Sequence, residues 1–291
     1  MASLVLMLLS VITFGSLVAS QSDEYTHSIV HDFSTYKDNV DKLLTDDKAK
    51  DFRNDWQLYD YWQRADNPTI RVDAKYDHEN VRIKDGALIL EQKGWKEGDD
   101  KVSMAGIQSQ LLNIGYGTFT TVFKVTGDDG GSVASFFWYR DDRAEIDVEI
   151  VTRGTSLVND TMNWTTHPSL DDLGNPIFGA TVRVPLDPKF NGTNIREYHE
   201  YRFDYSKDNV KYFLDGTLVH EDLRPPLPGG NLQLKLWADG NMWWSGKPSA
   251  TTVTMSVQNI TAHFNLTEEP KPMAARSWWT GYWCDYDGLC A

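Results

Sequence analysis

The stretch best suited to chemistry runs Arg143-Ala-Glu-Ile-Asp-Val-Glu-Ile-Val151. As a β-strand it would place Glu145, Asp147 and Glu149 on one face, because successive side chains point to opposite sides of a strand. Like charges side by side destabilise a strand unless a proton is held among them, so stability alone does not favour this arrangement. A reaction that needs one ionised and one protonated carboxyl group would favour it.

The spacing of the outer two acids suits the cleavage of a glycosidic bond with retention of configuration. Neighbours on one strand face are about 6.6 Å apart, so the Cα atoms of Glu145 and Glu149 should be separated by roughly 13 Å. If each side chain leans inward by about 4 Å, the carboxyl groups come to about 5 to 6 Å, which is the spacing of a retaining glycosidase pair. Asp147, between them, could hold a proton and tune both.

A solvated strand face is the alternative interpretation of three acids in an acidic protein. The residues between the acids are β-branched or aliphatic, however, and the preceding run Val133-Ala-Ser-Phe-Phe-Trp-Tyr139 is apolar and aromatic. Both features indicate a buried neighbouring strand. This context favours a catalytic trio.

The charge and aromatic content of the chain limit its partners. The 28 basic and 42 acidic residues give a formal net charge of −14, which disfavours nucleic acid and anionic membranes because no dense basic patch offsets the repulsion. A neutral polysaccharide suffers no such penalty, and the 11 Trp and 13 Tyr residues offer flat rings to the C–H faces of sugars. We expect a monomer without a metal or other cofactor.

The chain divides into four predicted segments. Residues 1–20 are uncharged with an apolar core and are predicted to be a secretory signal cleaved after Ser20. Residues 21–50 are predicted to be a polar lead-in, 51–268 a β domain, and 269–291 an aromatic tail. No later apolar run is long enough to span a membrane, so we expect a secreted protein.

Two cysteines and several glycosylation sequons fit this location. Cys284 and Cys290 would form one small-loop disulfide in an oxidising compartment, although two free thiols remain the alternative. Five N-x-[ST] sequons begin at Asn159, Asn163, Asn191, Asn259 and Asn265.

Short β-rich runs separated by turn residues account for most of the chain. Lys84-Asp-Gly86 and Leu214-Asp-Gly-Thr217 are turn signals, the second typical of a β-hairpin. The predicted strands are 87–91, 106–112, 117–125, 133–139, 145–151, 161–166, 179–184, 197–205, 210–214, 218–220, 231–237 and 251–264. A dozen short strands predict an all-β fold with two antiparallel sheets packed face to face and bent to leave one face concave.

The order of the motifs resembles glycoside hydrolase family 16, the secreted β-glucanases and transglycosylases with a concanavalin-like jelly-roll fold. The resemblance covers roughly Ala87 to Phe264. It rests on Gly115-Tyr-Gly-Thr-Phe119, Ser135-Phe-Phe-Trp-Tyr139, Glu145-Ile-Asp-Val-Glu149, Tyr198-His-Glu-Tyr-Arg-Phe-Asp-Tyr205, Leu214-Asp-Gly216 and Leu234-Lys-Leu-Trp237. It implies a jelly-roll β-sandwich with a concave substrate cleft, Glu145 as nucleophile, Asp147 as helper and Glu149 as general acid and base.

The same resemblance suggests which other residues contact the sugar. Thr161, Asn163 and Thr165 should share the side of the acids on a neighbouring strand, in which case Asn163 would carry no glycan. Further candidates for the cleft are Lys235, Trp237, Trp244 and one of the two residues Trp138 and Tyr139. His167 is a plausible loop contact, whereas His199 is expected to be a hydrogen-bonded structural residue.

Some positions depart from the family pattern and leave the substrate open. Arg143 and Ala144 stand where relatives acting on mixed-linkage glucan or xyloglucan commonly have an aromatic residue and Asp, and Lys235 stands where many have Asn. The extra residue that many laminarinase-like members carry before the last acid is absent between Asp147 and Glu149. The favoured activity is retaining, endo-acting hydrolysis of a β-glucan. A cell-wall transglycosylase with the same acids, and a lectin-like binding module with idle acids, are the alternatives.

Overall fold

Two β-sheets packed face to face form the part of the chain that the computed structural model describes, residues 25–65, 71–127, 130–152, 161–186, 193–242 and 244–268. One short helix, α1 (Lys50–Asp55), and short 3₁₀ helices at Phe33–Thr35, Asp47–Ala49 and His78–Asn80 accompany the strands. The strands within these residues are β1 (His27–Asp32), β2 (Trp56–Leu58), β3 (Tyr61–Gln63), β4 (Ala74–Tyr76), β5 (Val81–Lys84), β6 (Ala87–Gln92), β7 (Val102–Ser109), β8 (Ile114–Thr126), β9 (Ser132–Asp141), β10 (Ala144–Thr152), β11 (Thr161–Thr166), β12 (Thr181–Pro185), β13 (His199–Tyr205), β14 (Val210–Leu214), β15 (Thr217–Asp222), β16 (Asn231–Trp237) and β17 (Val253–Leu266).

The front sheet, which carries the acids, has the order β12-β11-β10-β9-β16-β7-β4-β3, with β2 paired to β7. The back sheet has the order β15-β14-β13-β8-β17-β6-β5, with β1 paired to β17. Pairing between the described strands is antiparallel except for β4 with β7. The predicted all-β sandwich of two antiparallel sheets is therefore confirmed.

The predicted turns form as their residue types require. Asp85 and Gly86 join β5 to β6 with φ of 51° and 74°, and Asp215 and Gly216 join β14 to β15 with φ of 49° and 75°. Two successive residues with positive φ match the right-handed twist of the strands that they connect, which is why Asp-Gly is favoured there.

Alternation along the front strands divides core from cleft. Ile146, Val148 and Ile150 of β10 are fully buried and face the back sheet. Their neighbours on β9 pack against aromatic rings of β13: Phe136 lies 5.2 Å from Phe203 and Trp138 lies 5.1 Å from Tyr205, centroid to centroid. Because the even-numbered residues of β10 fill the core, the odd-numbered acids face outward.

The segment predicted as a lead-in is part of the sandwich. β1 pairs along β17 from His27 to Asp32, and Ile29, Phe33, Val40 and Leu43 are buried in the main core. The apolar residues of this segment are scattered among polar ones, and each is buried singly from a strand or loop, so no periodic pattern marks it. The folded unit therefore includes residues 27–50 as well as those from residue 51 onward.

All twelve predicted strands are present, although β7 begins at Val102 rather than at 106. The strands β1 to β5 were not predicted, because four of them have only three or four residues and β1 alternates irregularly. No described helix is long and apolar enough to cross a membrane. The predicted signal, the Cys284–Cys290 disulfide, and the sequons at Asn159 and Asn191 lie outside the described residues.

Candidate active site

The three acids lie on the outward face of β10, as predicted. The register of β10 with β11 runs without interruption from Ile146 to Val151, and its register with β9 shifts only between Ala144 and Glu145. No extra residue therefore separates Asp147 from Glu149. Across the sheet, Glu145 pairs with Tyr139, and Asp147 pairs with Phe137 and Thr165. Glu149 pairs with Ser135 and Asn163.

The environment of the acids keeps protons on them. Burial, followed by the charge of Asp147, raises the pKa of Glu149 to about 8. Burial and Asp147 also raise the pKa of Glu145 well above its ordinary value, and Asp147 forms a hydrogen bond with Glu145. Both effects are expected for carboxyl groups that are close together and partly removed from water. At neutral pH the trio therefore retains a proton that it can donate.

Lys235 is the cation that balances the trio. Its charge lowers the pKa of both Glu145 and Glu149, against the effect of burial. Its ammonium group lies 4.8 Å from the ring centroid of Phe137 and 5.3 Å from that of Tyr59. Lys235 was predicted as a sugar contact, and the structure gives it an electrostatic role beside the acids.

Tyr59 reaches this position because the opposite strand has a glycine. A Cβ on Gly106, which pairs with Lys235, would lie only 2.5 Å from Cδ2 of Tyr59. The Tyr59 hydroxyl lies 2.9 Å from Oε1 of Gln108 and 2.5 Å from Oε1 of Gln233. The Tyr59 ring therefore packs directly on the front sheet, next to Lys235.

His167, which was predicted only as a plausible loop contact, belongs to the site. Nε2 of His167 lies 3.0 Å from Oδ2 of Asp147, and its backbone N–H donates to the carbonyl of Glu145 at 2.9 Å. Burial would lower the pKa of His167, but the hydrogen bond and charge of Asp147 outweigh burial and raise it. The register could have revealed this contact, since Thr166 pairs with Ile146 and the next residue must end beside the acids.

Glu145, Asp147 and His167 each offer a ligand atom within 4.8 Å of the others. Such a group could hold a cation. Hydrogen bonds that join both neighbours to Asp147 already account for this closeness, so the geometry gives no separate reason to assign a metal.

A cleft of about 910 Å³ opens above the acids. Its walls include Trp237, Trp244, Arg71, Arg183, Leu170 and Ile177. Trp237 and Trp244 are half-buried, and their contact with a sugar stays a prediction. The indole of Trp244 also forms a hydrogen bond with Glu149, which links a cleft wall to the catalytic face.

The prediction of Trp138 as a cleft residue is wrong. Trp138 is fully buried, pairs with Ile146 on the core face, and donates its indole N–H to the carbonyl of Ile114 at 3.1 Å. Tyr139, which pairs with Glu145, is the residue on the acid side, and its hydroxyl donates to Oδ1 of Asp142 at 2.9 Å. Alternation allows only one of two successive residues to face the cleft.

Thr161, Asn163 and Thr165 share the side of the acids, as predicted, but only Thr165 lines the cleft. Asn163 is completely buried, and Oγ1 of Thr161 donates to Oδ1 of Asn163 at 3.3 Å. Both side chains are buried. The prediction that Thr161 and Asn163 contact the substrate is therefore wrong. The Asn163 sequon is inaccessible in the folded chain.

His199 has the structural role expected of it. Its Nδ1 lies 2.7 Å from Oδ2 of Asp215 and its Nε2 lies 3.1 Å from the carbonyl oxygen of Asn194. These contacts fix the turn between β14 and β15 on the back sheet, away from the cleft.

The site combines two glutamates with raised pKa values, a third carboxyl group between them and an aromatic cleft above them. This combination is typical of an active site that cleaves glycosidic bonds. Residues 69–254 match the family described as Glycosyl hydrolases family 16. The chain belongs to this family.

The relatives agree with this membership. The chain is 24% identical over 221 residues to an endo-1,3-1,4-beta-glycanase, ExoK, of Rhizobium meliloti, covering 73% of this chain and 72% of that protein. It is 28% identical over 143 residues to a beta-glucanase of Bacillus subtilis, covering 45% of this chain and about half (51%) of the relative.

Solved structures share the fold. A beta-1,3-1,4-glucanase (lichenase) derived from a mouse hindgut metagenome superimposes with a TM-score of 0.57 at 20% identity, covering 83% of this chain and 100% of that chain. The Crh5 transglycosylase in complex with NAG superimposes with a TM-score of 0.53 at 18% identity, covering 84% and 86% of the two chains.

Proposed function

We propose that this protein is a retaining, endo-acting hydrolase of β-glucan-type polysaccharide that works by double displacement. The observation that carries the proposal is the row of half-buried acids on β10, whose outer members Glu145 and Glu149 both have raised pKa values. A retaining mechanism needs one carboxylate to attack and one carboxylic acid to protonate the leaving group. A trio that holds a proton near neutral pH supplies both.

Glu145 attacks the anomeric carbon while Glu149 donates its proton to the leaving oxygen, and a covalent glycosyl intermediate forms. Glu149 then removes a proton from water, which displaces Glu145 and releases the product. Glu145 and Asp147 share a hydrogen bond, and this bond gives the proton a route away from the attacking oxygen of Glu145. His167, at 3.0 Å from Asp147, orients that acid.

The substrate class rests on the cleft and on the relatives. Trp237 and Trp244 line the cleft, and aromatic rings pack well against sugars. The relatives named as an endo-1,3-1,4-beta-glycanase and as a beta-glucanase support the choice of a β-linked polysaccharide. Secretion is part of the proposal and rests on the sequence of residues 1–20.

A panel of β-1,3-, β-1,4- and mixed-linkage glucans tests the proposal. We expect Glu145→Gln to reduce reducing-sugar release by at least about 10³-fold, because the nucleophile is lost. Glu197→Gln, which changes an exposed glutamate on the back of the molecule, is the matched control and should retain activity. Proton NMR of the first product should show the anomer of the substrate, and equal release by wild type and Glu145→Gln would refute the assignment.

The same experiment separates the two alternatives. A transglycosylase would transfer the glycosyl group to a labelled oligosaccharide acceptor, and product sizing would show lengthened labelled chains. A lectin-like module would bind glycans in affinity electrophoresis and release no sugar from any member of the panel.

A further inference from the structure

Two basic residues lie in one row of side chains with Glu149. The row crosses the front sheet from β12 to β16 and consists of Arg183, Asn163, Glu149, Ser135 and Lys235. Adjacent strands are about 4.8 Å apart, so the Cα atoms of Arg183 and Lys235 each lie roughly 10 Å from that of Glu149, on opposite sides.

The two cations have different surroundings. Lys235 acts on both glutamates, as its effect on their pKa values indicates. Arg183 is exposed. No carboxylate in the described part of the chain forms an ion pair with Arg183, and its guanidinium carbon lies 5.6 Å from the ring centroid of Trp244.

The position on Trp244 prepares the guanidinium for a ligand. A guanidinium that stacks on an indole keeps its N–H edges directed outward, and its planar fork can donate two parallel hydrogen bonds to a carboxylate or a sulfate. Arg183 and Trp244 both line the cleft. Arg71 lines the same cleft from the side of β4 and is already paired with Asp239 at 3.3 Å.

The overall charge makes this placement informative. The chain has a formal net charge of −14, so an exposed arginine that pairs with no carboxylate among the described residues runs against the general composition. The long-range field would repel an acidic polymer, and recognition of one would need a cation at the point of contact.

We propose that Arg183 binds an acidic substituent, a carboxylate or a sulfate, on the polysaccharide within one or two sugars of the scissile bond. This inference rests on the proposed function and narrows its substrate to a glucan-type chain that carries acidic groups. The proposed substrate is therefore an acidic polysaccharide, in place of the neutral polysaccharide that was predicted from the composition.

Chemically matched polymers test the proposal. The glucan of the panel that the wild-type protein cleaves best is compared with its carboxymethylated and its sulfated derivatives. The two derivatives distinguish binding of a carboxylate from binding of a sulfate. We expect Arg183→Gln to raise KM on at least one derivative by about 10-fold, because a charge-assisted pair is lost, and to change KM on the neutral polymer by less than about 2-fold. Arg183→Lys should retain part of the preference, since it keeps the charge without the planar fork.

Lys207→Gln is the charge-matched control, because Lys207 is exposed in the turn after β13 and contacts no part of the cleft. It should leave KM on all three polymers unchanged. Raising the salt concentration should weaken the preference of wild type for the derivatives. Equal losses on neutral and acidic polymers in Arg183→Gln would mean that Arg183 binds neutral hydroxyl groups, and this result would overturn the proposal.

Binding separates failure of this inference from failure of the proposed hydrolysis. In native gels that contain each polymer, the Glu145→Gln protein should be retarded more by an acidic derivative than by the neutral backbone. The added change Arg183→Gln should remove that difference. If no polymer is cleaved but this difference is observed, Arg183 binds an acidic group although the hydrolase proposal fails. If no difference is observed, the inference fails.

Discussion

At the scale of single residues, the chemistry depends on where the proton of the trio resides. Glu145, Asp147 and Glu149 cannot all be ionised at low cost, because they lie on one half-buried strand face. Lys235 reduces this cost from one side. His167 reduces it from the other through its contact with Asp147.

His167→Asn should lower kcat by roughly 10- to 100-fold, because the loss of a hydrogen bond to a charged group costs about 1.5 to 3 kcal/mol. The contact holds Asp147, so the loss should fall on kcat more than on KM. Asp147 raises the pKa of His167. As the pH rises through this raised pKa, the imidazolium of His167 loses its proton and its charge. The alkaline limb of the kcat profile should therefore be less steep in the variant.

His263→Asn is a suitable control, since His263 lies on β17 of the back sheet. It should leave both kcat and the shape of the pH profile unchanged. An His167→Asn enzyme with the wild-type profile and kcat would show that the contact with Asp147 has no part in the reaction.

At the scale of the elements, β10 is positioned by its neighbours on both sides. β9 and β11 fix its register, and the back sheet fixes which face is buried. β1 supports the back sheet by pairing with β17, and Nε2 of His31 on β1 lies 2.9 Å from Oδ2 of Asp55 at the end of α1. The N-terminal residues are therefore structural.

A chain that starts at residue 51 should fail to fold. It would lose Ile29, Phe33, Val40 and Leu43 from the core, and burial of such side chains contributes about 1.5 to 3 kcal/mol each. The sum, roughly 6 kcal/mol or more, is comparable with the whole stability of a typical domain. A chain that starts at Gln21 should show a cooperative thermal transition by circular dichroism, and the same transition in both chains would contradict this role of the N-terminal segment.

At the scale of the whole molecule, the active site costs stability. The folded state raises the pKa of Glu149 from 4.5 to about 8, so between these values it binds more protons than the unfolded chain. Stability must then fall as the pH rises through this window. The opposite behaviour is expected of Glu91, whose pKa is lowered to about 2 by its hydrogen bond to Arg82 and which stabilises the fold above the ordinary carboxyl range.

Glu149→Gln should therefore stabilise the protein at pH 8 by on the order of 1 to 2 kcal/mol and raise Tm by a few degrees. Near pH 4 the wild-type carboxyl is already protonated, so the two proteins should melt at similar temperatures. Scanning calorimetry at both pH values checks this, with Glu197→Gln as the exposed control. A Tm of Glu149→Gln below that of wild type at pH 8 would contradict the predicted cost.

The sequence by itself determined the features that depend on local periodicity. Alternation in Glu145 to Glu149 specified one acidic face and one apolar face, and Asp-Gly at 215 and 216 specified a hairpin. Twelve strands followed from the same signals. The physical reason is that side-chain direction along a strand and positive φ at a turn are properties of a few consecutive residues.

Only the tertiary structure decided which side chains meet across strands and what covers them. It placed His167 beside Asp147 although 19 residues separate them, buried Trp138 and left Tyr139 on the acid side, and buried Asn163. It also joined residues 27–50 to the core and left Arg183 on Trp244 without an acidic partner among the described residues. Register, burial and charge pairing depend on neighbours that are distant in the chain, so local patterns in one sequence do not specify them.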